Sequence, residues 1–159
     1  MDNLNTYQKK VNNRILKYVD NKKIADYTVF LEKIIQGEIA CSSGLNTSSY
    51  LVGCARVLKE KRTKRKTVFN TGEILVTEKT DPSNVPIMIR STAIITNVGG
   101  VTSHAAVECR RMKIPCLINT DKATEMIRDQ EIILIQMDTD DNEIASVFRM
   151  NNPSVKIII

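Results

Sequence analysis

Six short apolar segments, each bounded by turn-forming residues, set the pattern of this 159-residue sequence. They are rich in β-branched residues, which favour extended backbone, and they span residues 51–58, 73–77, 92–96, 115–118, 131–136 and 143–148. Three helical segments lie between them, one starting at Asp81, one over 103–113 and one over 121–128. Asp81 and Asp121 are the expected N-caps of the first and third. Strands interspersed with helices predict an α/β fold with layers of sheet and helix.

The first 36 residues differ from the rest because they contain neither Gly nor Pro and place apolar residues at helical spacing. This spacing predicts two helices that are separated near Asp20-Asn21, with Gly37 capping the second. The sequence is therefore divided into a helical appendage over residues 1–36, a core domain over 37–150 and a tail over 151–159. The tail is compatible with either an irregular end or an edge strand.

Composition and charge exclude several classes of protein. Hydrophobic residues make up 42% of the chain, which is enough for a packed core. No apolar run approaches the roughly 18 residues of a membrane span, and charges such as Asp2 and Arg14 interrupt any signal-peptide pattern. The four cysteines form no CxxC pair and are typical of thiols in a reducing compartment. We therefore expect a cytoplasmic protein with no membrane partner.

The net charge of +5 has a local origin in the segment 59–66, which contains six basic residues and one acidic residue. This basic segment is expected to be a solvated hairpin connection between β-like stretches at 50–58 and 68–76. The alternative is a docking site for an acidic partner or nucleic acid. Trp is absent and aromatic residues make up only 4% of the chain, which argues against a stacking platform for single-stranded nucleic acid.

One segment of the chain is suited to chemistry, and it follows a predicted buried strand. Gly99 and Gly100 allow a sharp turn and a close approach of a ligand, and Thr102 or Ser103 is expected to cap the helix that follows. The N-terminus of that helix presents free N–H groups and a partial positive charge, which favour a phosphate. His104 lies in its first turn, where the dipole favours the neutral, nucleophilic imidazole.

These residue types suit a histidine that accepts a phosphoryl group, because the hydroxyls of Thr102 and Ser103 and the helix amides would hold it. By themselves they also leave open that His104 is an ordinary capping or surface residue. It is the only histidine in the sequence, which excludes a metal site with two histidine ligands from this chain. We predict no metal site on the chain itself.

The segment 98–106, Val-Gly-Gly-Val-Thr-Ser-His-Ala-Ala, resembles the phosphohistidine signature of the mobile (swivelling) domain of the phosphoenolpyruvate-utilising enzymes. That family includes phosphoenolpyruvate synthase, pyruvate phosphate dikinase, enzyme I of the sugar phosphotransferase system and rifampicin phosphotransferase. The similarity covers roughly residues 37–148. It also includes residues 72–76, Thr80-Asp81-Pro82, residues 93–96, Arg110, Ile114-Pro115 and Ala123-Thr124.

The resemblance implies a swivelling β/β/α sandwich with His104 as the phosphorylated nucleophile, Thr102 and Ser103 beside it, and Gly99 and Gly100 as the phosphate-binding turn. One implied partner is an ATP-grasp nucleotide-binding domain or subunit. The other is a pyruvate or phosphoenolpyruvate barrel, or another acceptor domain. Mg²⁺ is expected with the nucleotide or the partner and not on this chain. The implied function is a dikinase-type phosphotransferase component that is active only with its partners.

The alternative function is a non-catalytic binding module of the same fold. Such a module would dock an acidic partner or nucleic acid through the basic segment 59–66.

Several positions depart from the usual pattern of the family. Asn97 replaces an acidic residue, and Lys113, Asn119 and Gln130 replace glycines. A further position, Glu108, lies one turn after the histidine on the same helix face. It is expected either to orient the imidazole through Nδ1 or to pair with a neighbouring basic residue on the surface.

Overall fold

The structure is a computed structural model, and it describes residues 31–45, 50–59, 68–139 and 143–150. The strands are β1 (Leu31–Cys41), β2 (Tyr50–Leu58), β3 (Ile74–Thr77), β4 (Ala93–Thr96), β5 (Cys116–Ile118), β6 (Ile132–Asp138) and β7 (Ile144–Met150). A 3₁₀ turn over Pro82–Asn84 continues into helix α1 (Val85–Met88), and two further helices follow, α2 (His104–Met112) and α3 (Ala123–Met126). No helix in these ranges is long and apolar enough to cross a membrane.

The strands close into a barrel in the order β1-β5-β4-β3-β2-β6-β7, with β7 pairing back onto β1. Strands β2, β3, β4 and β5 are parallel to one another, whereas β1, β6 and β7 pair in antiparallel fashion. Parallel neighbours need crossover connections, and α1 and α2 supply those from β3 to β4 and from β4 to β5. The predicted mixed α/β class is confirmed, and the strand layers of the predicted sandwich are joined into one barrel.

Alternate side chains of the parallel strands enter two separate hydrophobic clusters, as expected from the two faces of a strand. Ile74, Val76 and Ile95 belong to the cluster that also contains buried residues of β6 and β7. Leu75 and Ile94 belong to the other cluster, which contains Met88, Ala105, Ala106 and Cys109. The helices α1 and α2 therefore pack on the outer face of the parallel strands. The side of α2 that faces the strands consists of its small residues Ala105, Ala106 and Cys109.

The predicted helix at the end of the appendage is wrong over residues 31–36, because this stretch is the first half of β1. Gly37 lies inside that strand and does not cap a helix. A Cβ atom at Gly37 would lie 2.6 Å from Thr120 Cγ2 and 2.7 Å from the carbonyl oxygen of Ile118, so glycine lets β1 pass close to β5. Residues 1–30 of the predicted appendage and the tail over 151–159 lie outside the described residues.

The predicted hairpin around the basic segment is also wrong. Strands β2 and β3 pair in parallel, from Ala55 opposite Ile74 to Leu58 opposite Thr77, so the segment between them is a crossover and not a hairpin turn. The extended structure predicted from residue 68 begins only at Ile74. Residues 60–67, which include most of the basic segment, lie outside the described residues.

The four cysteines are free thiols, as the sequence predicts. Cys109 and Cys116 are buried, whereas Cys41 and Cys54 are half-buried. Burial raises the pKa of Cys41 and Cys54, and a hydrogen bond with Cys109 together with burial raises the pKa of Cys116. Thiols held in their neutral form in this way are poor nucleophiles. Cys109 and Cys116 are part of the hydrophobic core.

Candidate active site

The loop between β4 and α2 starts from a rigid base at the carboxyl ends of the parallel strands. On one side the amides of Asn97 and Val98 donate to the carbonyl oxygens of Thr77 and Glu78, each at 3.1 Å. On the other side the amide of Asp121 donates to the carbonyl oxygen of Asn97 at 2.9 Å. The entry to the loop is therefore fixed by the segments that follow β3 and β5.

Only one of the two loop glycines uses the conformational freedom that the sequence analysis assigned to both. Gly99 has φ +131°, and a Cβ atom there would lie 3.0 Å from Ser103 Oγ. This backbone region is open almost only to glycine. Gly100 has no such φ, and a Cβ atom there would meet nothing within 4 Å. The turn therefore depends on Gly99, whereas Gly100 has room for a side chain.

Ser103, and not Thr102, caps helix α2. Its backbone is extended, and its hydroxyl accepts a hydrogen bond from the amide of Ala106 at 3.3 Å. The amide of Ser103 donates to the carbonyl oxygen of Gly100 at 2.9 Å, which closes the loop onto the helix. The Thr102 side chain is exposed.

A set of backbone N–H groups around His104 has no acceptor in the described part of the chain. These are the amides of residues 99–102 in the loop, together with those of His104 and Ala105 at the start of α2. Unpaired amides at the start of a helix attract anions because of their own hydrogens and the helix dipole. The loop and the helix N-terminus thus present unpaired donors that are suited to an anion, on the residues that precede and include His104.

His104 itself is half-buried and is oriented by a residue that the sequence analysis gave no role. Thr80 Oγ1 lies 2.8 Å from His104 Nδ1, and the Thr80 side chain is buried. The contact leaves Nε2 as the ring nitrogen without a protein partner among the described residues. From the sequence, Thr80 could be noted only as part of the Thr80-Asp81-Pro82 segment. Its contact with His104 exists only in the folded chain, because the two residues are far apart in sequence.

Glu108 does not take the orienting role that was one of its two predicted alternatives. Its carboxylate accepts from Arg111 Nε at 2.9 Å, three residues further along α2. The surface pairing is therefore confirmed, and the orienting contact to Nδ1 belongs to Thr80.

Asp81 contributes a negative charge beside the site. Its carboxylate accepts from the hydroxyl and from the amide of Ser83, and these bonds lower the pKa of Asp81, with smaller contributions from His104 and Lys79. The amide of Asp81 donates to Asn84 Oδ1 at 2.8 Å, which completes a capping box. The predicted N-cap role of Asp81 is confirmed.

Asn97 is the residue that holds the start of α3. Its Nδ2 donates to Thr124 Oγ1 at 2.7 Å, and its Oδ1 accepts from the amide of Thr124 at 3.0 Å. The predicted N-cap Asp121 has φ +67°, and no side chain caps the helix at Lys122. The prediction of Asp121 as N-cap is therefore wrong, because Asn97, from the loop that follows β4, bonds to the first turn of this short helix.

Three valines around the site are exposed to solvent. Val98 and Val101 lie in the loop, with 48% and 58% of their surface exposed, and Val107 follows one turn after His104 on α2, with 49% exposed. Isolated exposed valines are common. Here, however, all three lie in the loop before His104 or one turn after it, so exposed apolar side chains flank the histidine in sequence on both sides.

The fold and the site define a mixed α/β domain that presents a histidine at the start of a helix, directly after a glycine-containing loop with unpaired amides suited to a phosphate. Residues 69–140 match the family model described as "PEP-utilising enzyme, mobile domain". This stretch contains Thr80, Gly99, His104 and Arg110. The predicted resemblance to the mobile domain of the phosphoenolpyruvate-utilising enzymes is confirmed over these residues.

Curated relatives agree with this assignment. A probable phosphoenolpyruvate synthase of Staphylothermus marinus is 43% identical over 76 residues, which are 48% of this chain and 9% of that protein. The phosphoenolpyruvate synthase of Aquifex aeolicus is 47% identical over 83 residues, which are 52% and 10% of the two chains. That of Escherichia coli is 44% identical over 64 residues, 40% and 8% of the two. The chain spans about a tenth of the length of the curated relatives it matches.

Proposed function

We propose that this chain carries a phosphoryl group on His104 Nε2 and passes it from a donor site to an acceptor site on partner domains. The observation that carries the proposal is the 2.8 Å contact between Thr80 Oγ1 and His104 Nδ1. It occupies one ring nitrogen and leaves Nε2 without a partner among the described residues, on a residue whose own amide and the amides of residues 99–102 before it are unpaired. The phosphoenolpyruvate synthases among the relatives support an enzyme component of this kind.

The chemistry follows from the hydrogen bond at Nδ1. When Nδ1 carries the proton and donates it to the Thr80 hydroxyl, the lone pair is on Nε2. Nε2 attacks the phosphorus of the donor, the bond from phosphorus to the leaving oxygen breaks, and that oxygen keeps the electron pair. In the second step an acceptor oxygen attacks phosphorus, the P–Nε2 bond breaks, and the electron pair returns to the imidazole.

The charge of the transferred group is stabilised by the loop and the start of α2. In phosphoryl transfer the negative charge is spread over the three equatorial oxygens of the moving group, so preorganised donors matter most. The unpaired amides of residues 99–102, His104 and Ala105 supply such donors. The hydroxyls of Thr102 and Ser103 add two more, because Ser103 uses only its oxygen as the cap of α2.

The proposed partners are those that the resemblance to the family implies. The donor would be an ATP-grasp nucleotide-binding domain or subunit, and the acceptor a pyruvate or phosphoenolpyruvate barrel or another acceptor domain, between which the domain swivels. The exposed Val98, Val101 and Val107 support contact between the site and another protein surface. We infer a cytoplasmic location from the reducing character of the four thiols.

We propose that Mg²⁺ is held by the nucleotide or by the partner and not by this chain, as expected for an ion that accompanies nucleotide phosphates. In the described part of the chain no group of three His, Cys, Asp or Glu side chains is placed to hold a metal ion. By itself the chain should not bind ATP. Tight Mg²⁺-dependent binding of ATP to the isolated chain in calorimetry would contradict the assignment of the nucleotide site to a partner.

The reactivity of His104 can be tested without the partners. Phosphoramidate transfers its phosphoryl group to imidazoles, with release of ammonia. Since His104 is the only histidine of the sequence, the untagged chain unfolded in urea is a matched reference for the folded chain. We expect the folded chain to react at least about tenfold faster, with modification on Nε2 only, and His104→Ala to take up no label.

Two outcomes would contradict the proposal. One is a folded chain in which His104 reacts no faster than in urea, or in which Nδ1 and Nε2 are modified equally. The other is a His104→Ala chain with unchanged function that binds duplex DNA with a steep salt dependence, which would favour the binding-module alternative.

A further inference from the structure

Arg110 makes two contacts that the proposed transfer reaction does not yet use. It lies on α2, six residues after His104, and its Nη1 donates to the carbonyl oxygen of Val101 at 2.5 Å. Its Nε donates to the carbonyl oxygen of Ala40 in β1 at 3.0 Å. One guanidinium thus connects the active-site loop to a strand of the barrel.

The acceptor on β1 is available because the strand carries a β-bulge at this point. Ile39 pairs with Leu117, and Cys41 pairs with Cys116, so Ala40 between them has no partner in β5. A bulge leaves its extra residue outside the ladder of backbone hydrogen bonds. The buried Ala40 therefore presents a carbonyl oxygen to the side chain of Arg110 from a fixed position.

The acceptor in the loop is the carbonyl oxygen of Val101, which belongs to the peptide bond between Val101 and Thr102. This bond is trans, like all those described, so the Val101 carbonyl and the Thr102 N–H lie in one plane and point in opposite directions. By holding the carbonyl, Arg110 also fixes the direction of the Thr102 amide. That amide has no acceptor among the described residues, and a charged donor on the carbonyl strengthens it as a hydrogen-bond donor.

We propose that Arg110 is a positioning residue that aims the Thr102 amide at the phosphoryl group on His104. The inference rests on the proposed function, since it names the group that the amide would meet. This role requires two N–H donors in one rigid plane, one for the Ala40 carbonyl oxygen in the bulge and one for the Val101 carbonyl oxygen in the loop. Arginine provides them, whereas a lysine ammonium has no such fork.

The test compares three variants with the unchanged chain. Arg110→Met keeps an unbranched side chain and removes all donors, and Arg110→Lys keeps the charge without the planar fork. Arg111→Met is the matched control, because Arg111 is the next residue on the same helix and pairs with Glu108 on the surface. The global stability of each variant is measured by urea unfolding, so that a general loss of structure is recognised.

The first measurement is ¹⁵N relaxation of the Val101 and Thr102 amides in the unphosphorylated chain. In Arg110→Met we expect their order parameters to fall from values near about 0.85, typical of rigid backbone, towards about 0.6. In Arg111→Met they should stay unchanged. Unchanged order in Arg110→Met overturns the proposal, and this result does not depend on whether His104 takes up a phosphoryl group.

The second measurement is the rate of His104 phosphorylation by phosphoramidate at fixed pH. In Arg110→Met, loss of a donor that meets the moving group lowers this rate by about tenfold. Arg110→Lys should keep part of the rate, and Arg111→Met all of it. A wild-type rate in Arg110→Met overturns the positioning role. An unreactive His104 in the unchanged chain contradicts the proposed function. In that case the order parameters of the Val101 and Thr102 amides alone decide whether Arg110 positions the loop.

Discussion

Thr80 and His104 are 24 residues apart in sequence, yet Thr80 Oγ1 lies 2.8 Å from His104 Nδ1. The contact exists because β3 and β4 are parallel neighbours, with Thr77 opposite Thr96. The segments that leave their carboxyl ends therefore run along the same edge of the sheet. Thr80 follows β3 by three residues, and the glycine turn brings the start of α2 back to it. A threonine hydroxyl both donates and accepts, so it can stay bonded to Nδ1 in either protonation state.

The first prediction concerns this bond. Thr80→Val keeps the shape of the side chain and removes the hydroxyl, so the imidazole loses its orientation and Nδ1 competes with Nε2. We expect phosphorylation by phosphoramidate to slow by about tenfold to a hundredfold, and modified Nδ1 to appear in ³¹P NMR spectra. Thr80→Ser should restore Nε2 selectivity. Equal rates and selectivity in Thr80→Val would show that the contact does not orient the ring.

Local patterns in the sequence predict the strands β2 to β7 and the capped helix α2, because each depends on neighbouring residues. They fail at β1, where the apolar spacing around Ile34 and Ile35 suits a helix. The strand forms there because it pairs with β7 and passes close to β5 at Gly37, and these contacts are distant in sequence.

The candidate site divides in the same way. The glycine turn and His104 lie within six consecutive residues and could be recognised from the sequence. Thr80, from the segment after β3, and the Ala40 carbonyl oxygen that binds Arg110, from the bulge of β1, come from distant parts of the chain. Their roles require the register of β1, β3, β4 and β5, which no local pattern provides.

The second prediction separates the two loop glycines. Gly99→Ala forces an alanine to φ +131° and places its Cβ 3.0 Å from the capping oxygen of Ser103. We expect the free energy of unfolding to fall by about 1–3 kcal/mol and the reactivity of His104 to fall with it. Gly100→Ala is the matched control, because its Cβ meets nothing within 4 Å. It should change the unfolding free energy by less than about 0.5 kcal/mol. Equal losses in the two variants would contradict this assignment.

The third prediction uses three positions where the family resemblance implies glycine. The φ values are +56° at Lys113, +54° at Asn119 and +65° at Gln130. The chain therefore keeps the left-handed backbone conformation at residues whose side chains disfavour it. Lys113→Gly and Gln130→Gly should each stabilise the fold by up to about 1 kcal/mol, since relief of the strain exceeds the added chain entropy of glycine.

Asn119→Gly is the control for those two variants. Asparagine tolerates this conformation well, and Asn119 Nδ2 donates to Glu38 Oε1 at 2.9 Å, so no gain is expected. Urea unfolding measures all three. A loss of stability in Lys113→Gly and Gln130→Gly would show that strain at these residues is not the dominant effect.

The fourth prediction tests whether the two hydrogen bonds between Asn97 and Thr124 can be made by a neutral or an acidic side chain at position 97. In Asn97→Asp one carboxylate oxygen still accepts from the Thr124 amide, and the Thr124 hydroxyl can rotate to donate to the other. We therefore expect a change in unfolding free energy within about 1 kcal/mol. Asn97→Leu leaves both buried groups of Thr124 without a partner and should cost about 2–4 kcal/mol. A loss in Asn97→Asp as large as that in Asn97→Leu would contradict the geometry of this contact.

The last prediction concerns the pH dependence of stability at the other end of β3. Glu73 is buried, which by itself would raise its pKa. Arg56 donates to both carboxylate oxygens at 2.7 and 3.1 Å, Asn70 donates from its amide and side chain, and together these bonds lower the pKa of Glu73 below the ordinary 4.5. The folded state therefore holds this carboxylate in its charged form more strongly than the unfolded state does.

A carboxylate with a lowered pKa in the folded state contributes stability that is fully present above its unfolded pKa. That contribution is lost as the pH falls through its folded pKa. The difference in unfolding free energy between the unchanged chain and Glu73→Gln should accordingly be constant near neutral pH and shrink below about pH 4.5. Glu108→Gln, which removes a carboxylate paired with Arg111 on the surface, is the control and should cost less than about 1 kcal/mol. If the difference for Glu73→Gln does not change with pH, the interaction with Arg56 is not what stabilises the charged carboxylate.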